Sequence, residues 1–233
     1  AFPGLNLTFE VREGIVKHSK DYNLREHPEL AEYLLNERPP LEAQLIDVAD
    51  EIAYNCADLD DGYESKLLSL GVIRDNVPLF DKLYRPVHAK YPGAAEKLKF
   101  NEGLRRLVDA LVTDLIGAVR NRLRQRRIRS VVEVRALKTR LAGFNPGMAE
   151  KNQQLKRFLQ DCLYAHPNLS RERKKITQHI EQLFNHYLRH PKALPASHFA
   201  KVPREPLTQV VCDYIAGMTD NFFAQQYQRI SGE

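Results

Sequence analysis

The sequence predicts an all-α fold of bundle type. Three observations carry that expectation. Apolar residues recur at the 3.6-residue helical period almost throughout, β-branched runs bounded by turns are scarce, and the later prolines (Pro167, Pro191, Pro195 and Pro203) fall at breaks in the pattern. Neither a repeat nor a low-complexity tract interrupts the chain.

Taken in order, "TFEVREGIVKHS" places Phe9, Val11, Ile15 and Val16 on a helix over Thr8–Ser19. A short polar link leads to a second helical segment over Pro28–Leu35, and the Pro39-Pro40 pair introduces a long helix over Leu41–Asp61. Gly62 and Gly71 punctuate the next stretch of chain. Further helices are expected over Val77–His88, Ala94–Arg127, Pro146–Ala165, Ser170–Leu188 and Pro206–Ile230. The exception is "RSVVEVRAL", Arg129–Leu137, whose valines suit a short strand or an irregular link.

With 233 residues, 43% hydrophobic and 28% charged, the chain is long and apolar enough to bury a sizeable core. No apolar run approaches the ~20 residues that span a bilayer, so no membrane partner is expected. Cys56, Cys162 and Cys212 are widely spaced without a CxxC pair; they read as reduced core thiols of a cytoplasmic protein. A formal charge of +5 is mild, suits an anionic small substrate, and identifies none. The opening "AFPGLNLTFEVREG" has no Met and enters a helix almost at once, as if cut from a longer chain.

"LEAQLIDVADEIAYNCADLDDG", Leu41–Gly62, carries an unusual load of acid among core-type residues. At about 100° per residue, Leu41, Leu45, Val48, Ile52, Cys56 and Leu59 gather on one side, and Asp47, Asp50, Tyr54, Asp58 and Asp61 on nearly the opposite one. Asp50, Tyr54 and Asp58 stand at i, i+4 and i+8, one turn apart. Like charges at such spacing cost a helix a few tenths of a kcal/mol per pair, and acid near a helix C-terminus opposes the macrodipole. The ordinary explanation is a solvated face. Against it, Ala43 and Ala57 fall within the acidic stripe and Ile46 and Ala53 flank it, as on a helix that lines a cleft.

Three ordered segments, "FPGLNLTFEVREGIVKHS", "PPLEAQLIDVADEIAYNCADLDDG" and "VVCDYIAGMTDNFFAQQY", resemble the bacterial dGTP triphosphohydrolases, deoxynucleotide triphosphohydrolases of the HD-domain phosphohydrolase superfamily. The resemblance covers nearly all of the chain and implies the C-terminal part of one HD-type helical domain. Within it, residues 1–75 would supply metal and substrate helices and residues 76–233 a C-terminal helical region. It implies metal-dependent hydrolysis of dGTP or another dNTP to deoxynucleoside and tripolyphosphate. The divalent cation would be Mg, Mn or another first-row ion. By the same likeness Asp50 is a metal ligand, Tyr54 lies along sugar and triphosphate, Asp58 accepts from the deoxyribose 3′-hydroxyl, and Lys17 contacts a phosphate. A homo-oligomer is a further expectation.

The family's His and His-Asp metal motifs have no counterpart, because no His-Asp dipeptide occurs in the sequence. A single carboxylate does not hold a catalytic transition ion alone. The chain is therefore expected to supply part of an active site, with no catalytic residue assigned. The alternatives are a helical nucleic-acid-binding module and a non-catalytic regulatory subunit.

Other constellations are weaker. His186 and His190 are i,i+4, but Tyr187 stands where a metalloprotease helix has Glu, and together with His179 they approach a helix end that favours cations. Arg120, Arg122, Arg124, Arg126, Arg127 and Arg129 crowd another helix end; that run suits a nucleotide effector or single-stranded DNA, though no aromatic interleaves it. Tyr214, Gly217 and Asp220 read as helix packing, expected against the acidic helix.

Overall fold

A computed structural model describes residues 4–232. The described residues are helical with no strand, in two compact units, Ala1–Tyr164 and Ala165–Glu233. No helix among them is long and apolar enough to cross a membrane.

In the first unit, Thr8 caps α1 (Phe9–Lys17) by accepting from the Val11 amide. Pro28–Tyr33 forms a 3₁₀ turn, and α2 runs from Leu41 to Glu64, through Gly62 and beyond the expected end. Gly62 is required there by contact: a Cβ on it would meet Leu68 Cδ1 at 2.6 Å and Leu163 Cδ1 at 3.2 Å. Then come α3 (Leu70–Asn76), α4 (Pro78–Lys90), α5 (Glu96–Gln125), α6 (Val131–Arg135) and α7 (Pro146–Phe158). Leu159–Tyr164 closes the unit as a π-helical turn. The expected strand or link at Arg129–Leu137 is instead the helix α6. Ser130 and Glu133 form a reciprocal capping box there, and that local bonding outweighs the β preference of its valines.

The core of this unit is where α2, α4 and α5 meet. Ile52, Leu59, Phe80, Tyr84, Phe100, Leu107 and Leu111 are almost wholly buried. Tyr63 stacks on Phe100 at 4.0 Å, and Phe100 packs on Phe80 at 5.5 Å. Burying each such ring or aliphatic group contributes about 1.5–3 kcal/mol. Cys56 is buried in this core, whereas Cys162 is half-buried and Cys212 exposed, so Cys212 is no core thiol; all three are free.

The second unit comprises α8 (Pro167–Arg189), a 3₁₀ turn, and α9 (Ala196–Phe199), α10 (Leu207–Ala216) and α11 (Asp220–Ser231). The expected single helix over Pro206–Ile230 is two, because α10 ends at Gly217 and Thr219 caps a fresh start. Leu183, Tyr187, Leu194, Val210, Val211 and Tyr214 make this unit's own core. Tyr214 meets Tyr187 edge-on at 5.2 Å.

Candidate functional site

The periodicity of α2 separates its faces as the wheel requires over its second half: Ile52, Cys56 and Leu59 are buried, while Asp50, Tyr54 and Ala57 are exposed. Over the first half the acidic stripe is partly covered. Ala43, expected among the acids, is 4% exposed, and a Cβ on Gly14 of α1 would touch its Cβ at 3.3 Å.

Opposite the exposed face lies α7, and its register is set by three anchors. The buried Gln44 side chain of α2 accepts from the Leu141 amide at 2.6 Å. Arg122 of α5 donates to the carbonyls of Leu141, Gly143 and Phe144 at 2.8, 2.5 and 2.6 Å. Asp114 accepts from the Asn145 amide at 2.9 Å. Pro146 then starts α7, which brings Asn152, Lys156 and, in the π turn, Gln160 and Tyr164 towards α2.

Between them is a cleft of about 360 Å³ lined by Asp47, Asp50, Glu51, Tyr54, Asn55, Lys156, Gln160 and Tyr164. Lys156 is the one cation in that lining. Its ammonium donates to Glu51 Oε2 at 2.7 Å, and Asn152 Nδ2 donates to Glu51 Oε1 at 2.5 Å. The Tyr164 hydroxyl donates to Asp58. Burial first, then that bond to a carboxylate, pushes the Tyr164 phenol well above its ordinary pKa, which keeps it a donor. The cleft's hydrogen bonds thus run to Glu51 and Asp58 and leave Asp47, Asp50 and Tyr54 open.

The π turn has a geometric consequence. Four α-helical residues overshoot one turn by about 40°. A wider i→i+5 turn rotates the chain less per residue and offsets that drift. Lys156, Gln160 and Tyr164, at i, i+4 and i+8, therefore share one side, facing the triad of identical spacing on α2.

Asp50, Tyr54 and Asp58 are thus brought together on one face. Lys17 is not. It is 2% exposed, and its ammonium is held by Glu13 at 3.0 Å and by the Leu34 carbonyl at 2.8 Å. Glu13 is wholly buried and accepts a second bond from Arg135 at 2.6 Å. Lys17 is committed to a buried ion cluster that ties α1 to α6.

Sequence reasoning passes over Glu51, Asn152, Lys156, Gln160 and Tyr164. A signal for the last three is present: "KRFLQDCLY" repeats the i, i+4, i+8 spacing of "DEIAYNCAD". Of the arginine run, Arg122 is spent on backbone carbonyls, whereas Arg120, Arg124, Arg126, Arg127 and Arg129 are exposed. In the second unit, His186 and His190 sit ring to ring at 5.0 Å, and no group of three His, Cys, Asp or Glu among the described residues is placed to hold a metal ion.

Proteins described as deoxyguanosinetriphosphate triphosphohydrolase-like are similar to 98% of this chain: 38% identical in Geobacter sulfurreducens, 39% in Ralstonia nicotianae and 35% in Leptospira interrogans. By sequence, the chain is similar over nearly its whole length to proteins of the dGTP triphosphohydrolase-like family. It spans about three-fifths of the length of these curated relatives, 59%, 59% and 60% respectively. The family described as phosphohydrolase-associated domain matches residues 142–229. That match takes in Asn152, Lys156, Gln160 and Tyr164, so one wall of the cleft lies inside it and the α2 wall precedes it.

Proposed function

We propose that this chain supplies one side of the active site of a metal-dependent deoxynucleoside triphosphate triphosphohydrolase, with dGTP the favoured substrate. The observation that supports it most is the convergence on one cleft of Asp50 and Tyr54, from a helix whose acidic stripe is otherwise unfavourable, with Lys156 and Tyr164 from the opposite wall.

The residues divide by chemistry. Asp50 offers an open, exposed carboxylate suited to a hard divalent cation. It fits as one ligand only, since the described residues hold no three-donor group. The others are assigned to the part of the full-length protein that this chain does not match. When bound, the cation neutralises charge developing on the phosphate oxygens. Lys156 adds a second positive group and orients the triphosphate. Tyr54, 61% exposed at the mouth, packs along the sugar. Asp58, fixed by the Tyr164 hydroxyl, accepts from the sugar 3′-hydroxyl, and a substrate lacking that hydroxyl leaves the acceptor unpaired and binds worse. Net reaction adds one water across the bond between the α-phosphorus and the nucleoside oxygen, giving deoxynucleoside and tripolyphosphate.

The test is tripolyphosphate release by the full-length protein carrying Asp50→Ala. Turnover is expected to fall by ~10² or more, as for loss of a group acting on the transition-state charge. It should vanish on chelation and return with Mg or Mn. Undiminished turnover of the variant ends the assignment.

A further inference from the structure

Glu51 neighbours Asp50 in sequence and lines the same cleft, so it invites reading as a second metal ligand. Its bonding argues otherwise. Both carboxylate oxygens are engaged, one by the Lys156 ammonium at 2.7 Å and one by the Asn152 amide at 2.5 Å. Asn152 is 4% exposed and accepts in turn from Asn55, itself 5% exposed, at 3.4 Å. Asn152 and Lys156 are one turn apart on α7, so the helix presents an amide and an ammonium side by side to a single carboxylate.

A lysine side chain has many rotamers, so holding its head in one place costs entropy. Lys156 is 39% exposed, and without a tether its head would sample solvent. We infer that Glu51 is a positioning residue: clamped by Asn152, it holds the Lys156 ammonium in the cleft, ready for the substrate's phosphates. This rests on the proposed triphosphohydrolase reading of the cleft. It gives Asp50 and Glu51 different tasks, the first open to a cation, the second closed around a lysine.

Removing Glu51's charge makes the cleft less negative, which by electrostatics alone strengthens polyanion binding. Loss of position acts instead on turnover, because misplacement of an orienting group lowers the rate. In the full-length protein, Glu51→Gln is expected to lower kcat about tenfold or more while KM for dGTP stays within about threefold. Glu51→Asp keeps the charge but draws it back by one methylene, and is expected to lose kcat similarly. The double variant Glu51→Gln/Lys156→Ala should be no slower than Lys156→Ala alone. The metal concentration for half-maximal activity should not move in either Glu51 variant.

Wild-type kcat in both Glu51 variants, or additive losses in the double variant, overturns the positioning role and leaves the triphosphohydrolase reading standing. A raised metal requirement overturns it too, by making Glu51 a ligand. If Lys156→Ala itself keeps wild-type kcat and KM, the phosphate-facing reading of the cleft falls and takes this inference with it. Far-ultraviolet circular dichroism and melting curves confirm that each variant folds. Both Glu51 substitutions fall on a half-exposed side chain and leave the core untouched.

Discussion

Replacing Glu13 with Met would remove the only carboxylate in a buried ion cluster while roughly conserving volume. Glu13 is wholly buried, Lys17 is 2% exposed, and the Arg135 side chain is 12% exposed. Two bonds to charged groups disappear, the 3.0 Å contact from Lys17 and the 2.6 Å contact from Arg135. Each such bond is worth about 1.5–3 kcal/mol, and breaking a buried pair by deleting one partner costs about 3–5 kcal/mol because a charge is left uncompensated. The middle of that range is about 4 kcal/mol. At ~2–4 °C per kcal/mol for a unit of this size, the melting temperature should fall by about 8–16 °C. Thermal unfolding followed by circular dichroism gives the value. The paired substitution Glu13→Met/Lys17→Met deletes the two most buried charges and leaves only Arg135, 12% exposed, without its partner, so it should recover part of the loss. A single variant that costs under about 1 kcal/mol, or a double variant worse than the single, would refute the cluster as a structural lock and make Lys17 an available cation again.

Tyr164→Phe removes one donor to Asp58; stability should drop by about 1 kcal/mol and KM for dGTP should rise between about twofold and tenfold, the worth of one net hydrogen bond. Steady-state kinetics with dGTP and its 3′-deoxy analogue check this, and a shrinking preference for the 3′-hydroxyl is the specific sign. Gly62→Ala gains about 1 kcal/mol of helix propensity but drives a Cβ to 2.6 Å from Leu68 Cδ1. Overpacking of that kind costs about 1–3 kcal/mol, so chemical denaturation should show a net loss. Burial, then the neighbouring His190, lowers the pKa of His186. The unfolded chain therefore binds that proton more readily. The second unit should hold full stability above the ordinary histidine pKa of about 6.5 and lose some as pH falls below it. His186→Gln should flatten that part of the stability profile.

Whether a feature is legible in the sequence depends on how far apart its determinants lie. The α2 face needs only the helical period, and so spacing alone groups Asp50, Tyr54 and Asp58 correctly. The burial of Lys17 is not legible in the sequence, because its i,i+4 partner Glu13 lies in plain sight but Arg135, 122 residues from Glu13, does not. What decides between a solvated lysine and a buried one is the covering element α6, and helix packing is not a local property. The "RSVVEVRAL" segment is misjudged for the opposite reason: its Ser130–Glu133 capping box is local and readable, and the weight given to its valines hides it. The π turn has no readable signal, since the same residues would satisfy an ordinary helix.

The cleft therefore depends on a register that neither wall specifies by itself. The α2 wall offers Asp50, Tyr54 and Asp58 at i, i+4 and i+8 through its own periodicity, and the α7 wall offers Lys156, Gln160 and Tyr164 at the same spacing, with the widened turn at its end holding them to one side. For the two rows to face each other, α7 must begin at a fixed height along α2. That height is set at a distance from the cleft, where Gln44 and Arg122 grip the backbone at residues 141–144. A slip of one residue there would rotate α7 by about 100° and carry Lys156 away from Glu51. The buried Gln44 amide, which also donates to the Pro39 carbonyl at 2.8 Å, is thus a structural determinant of a site it does not touch.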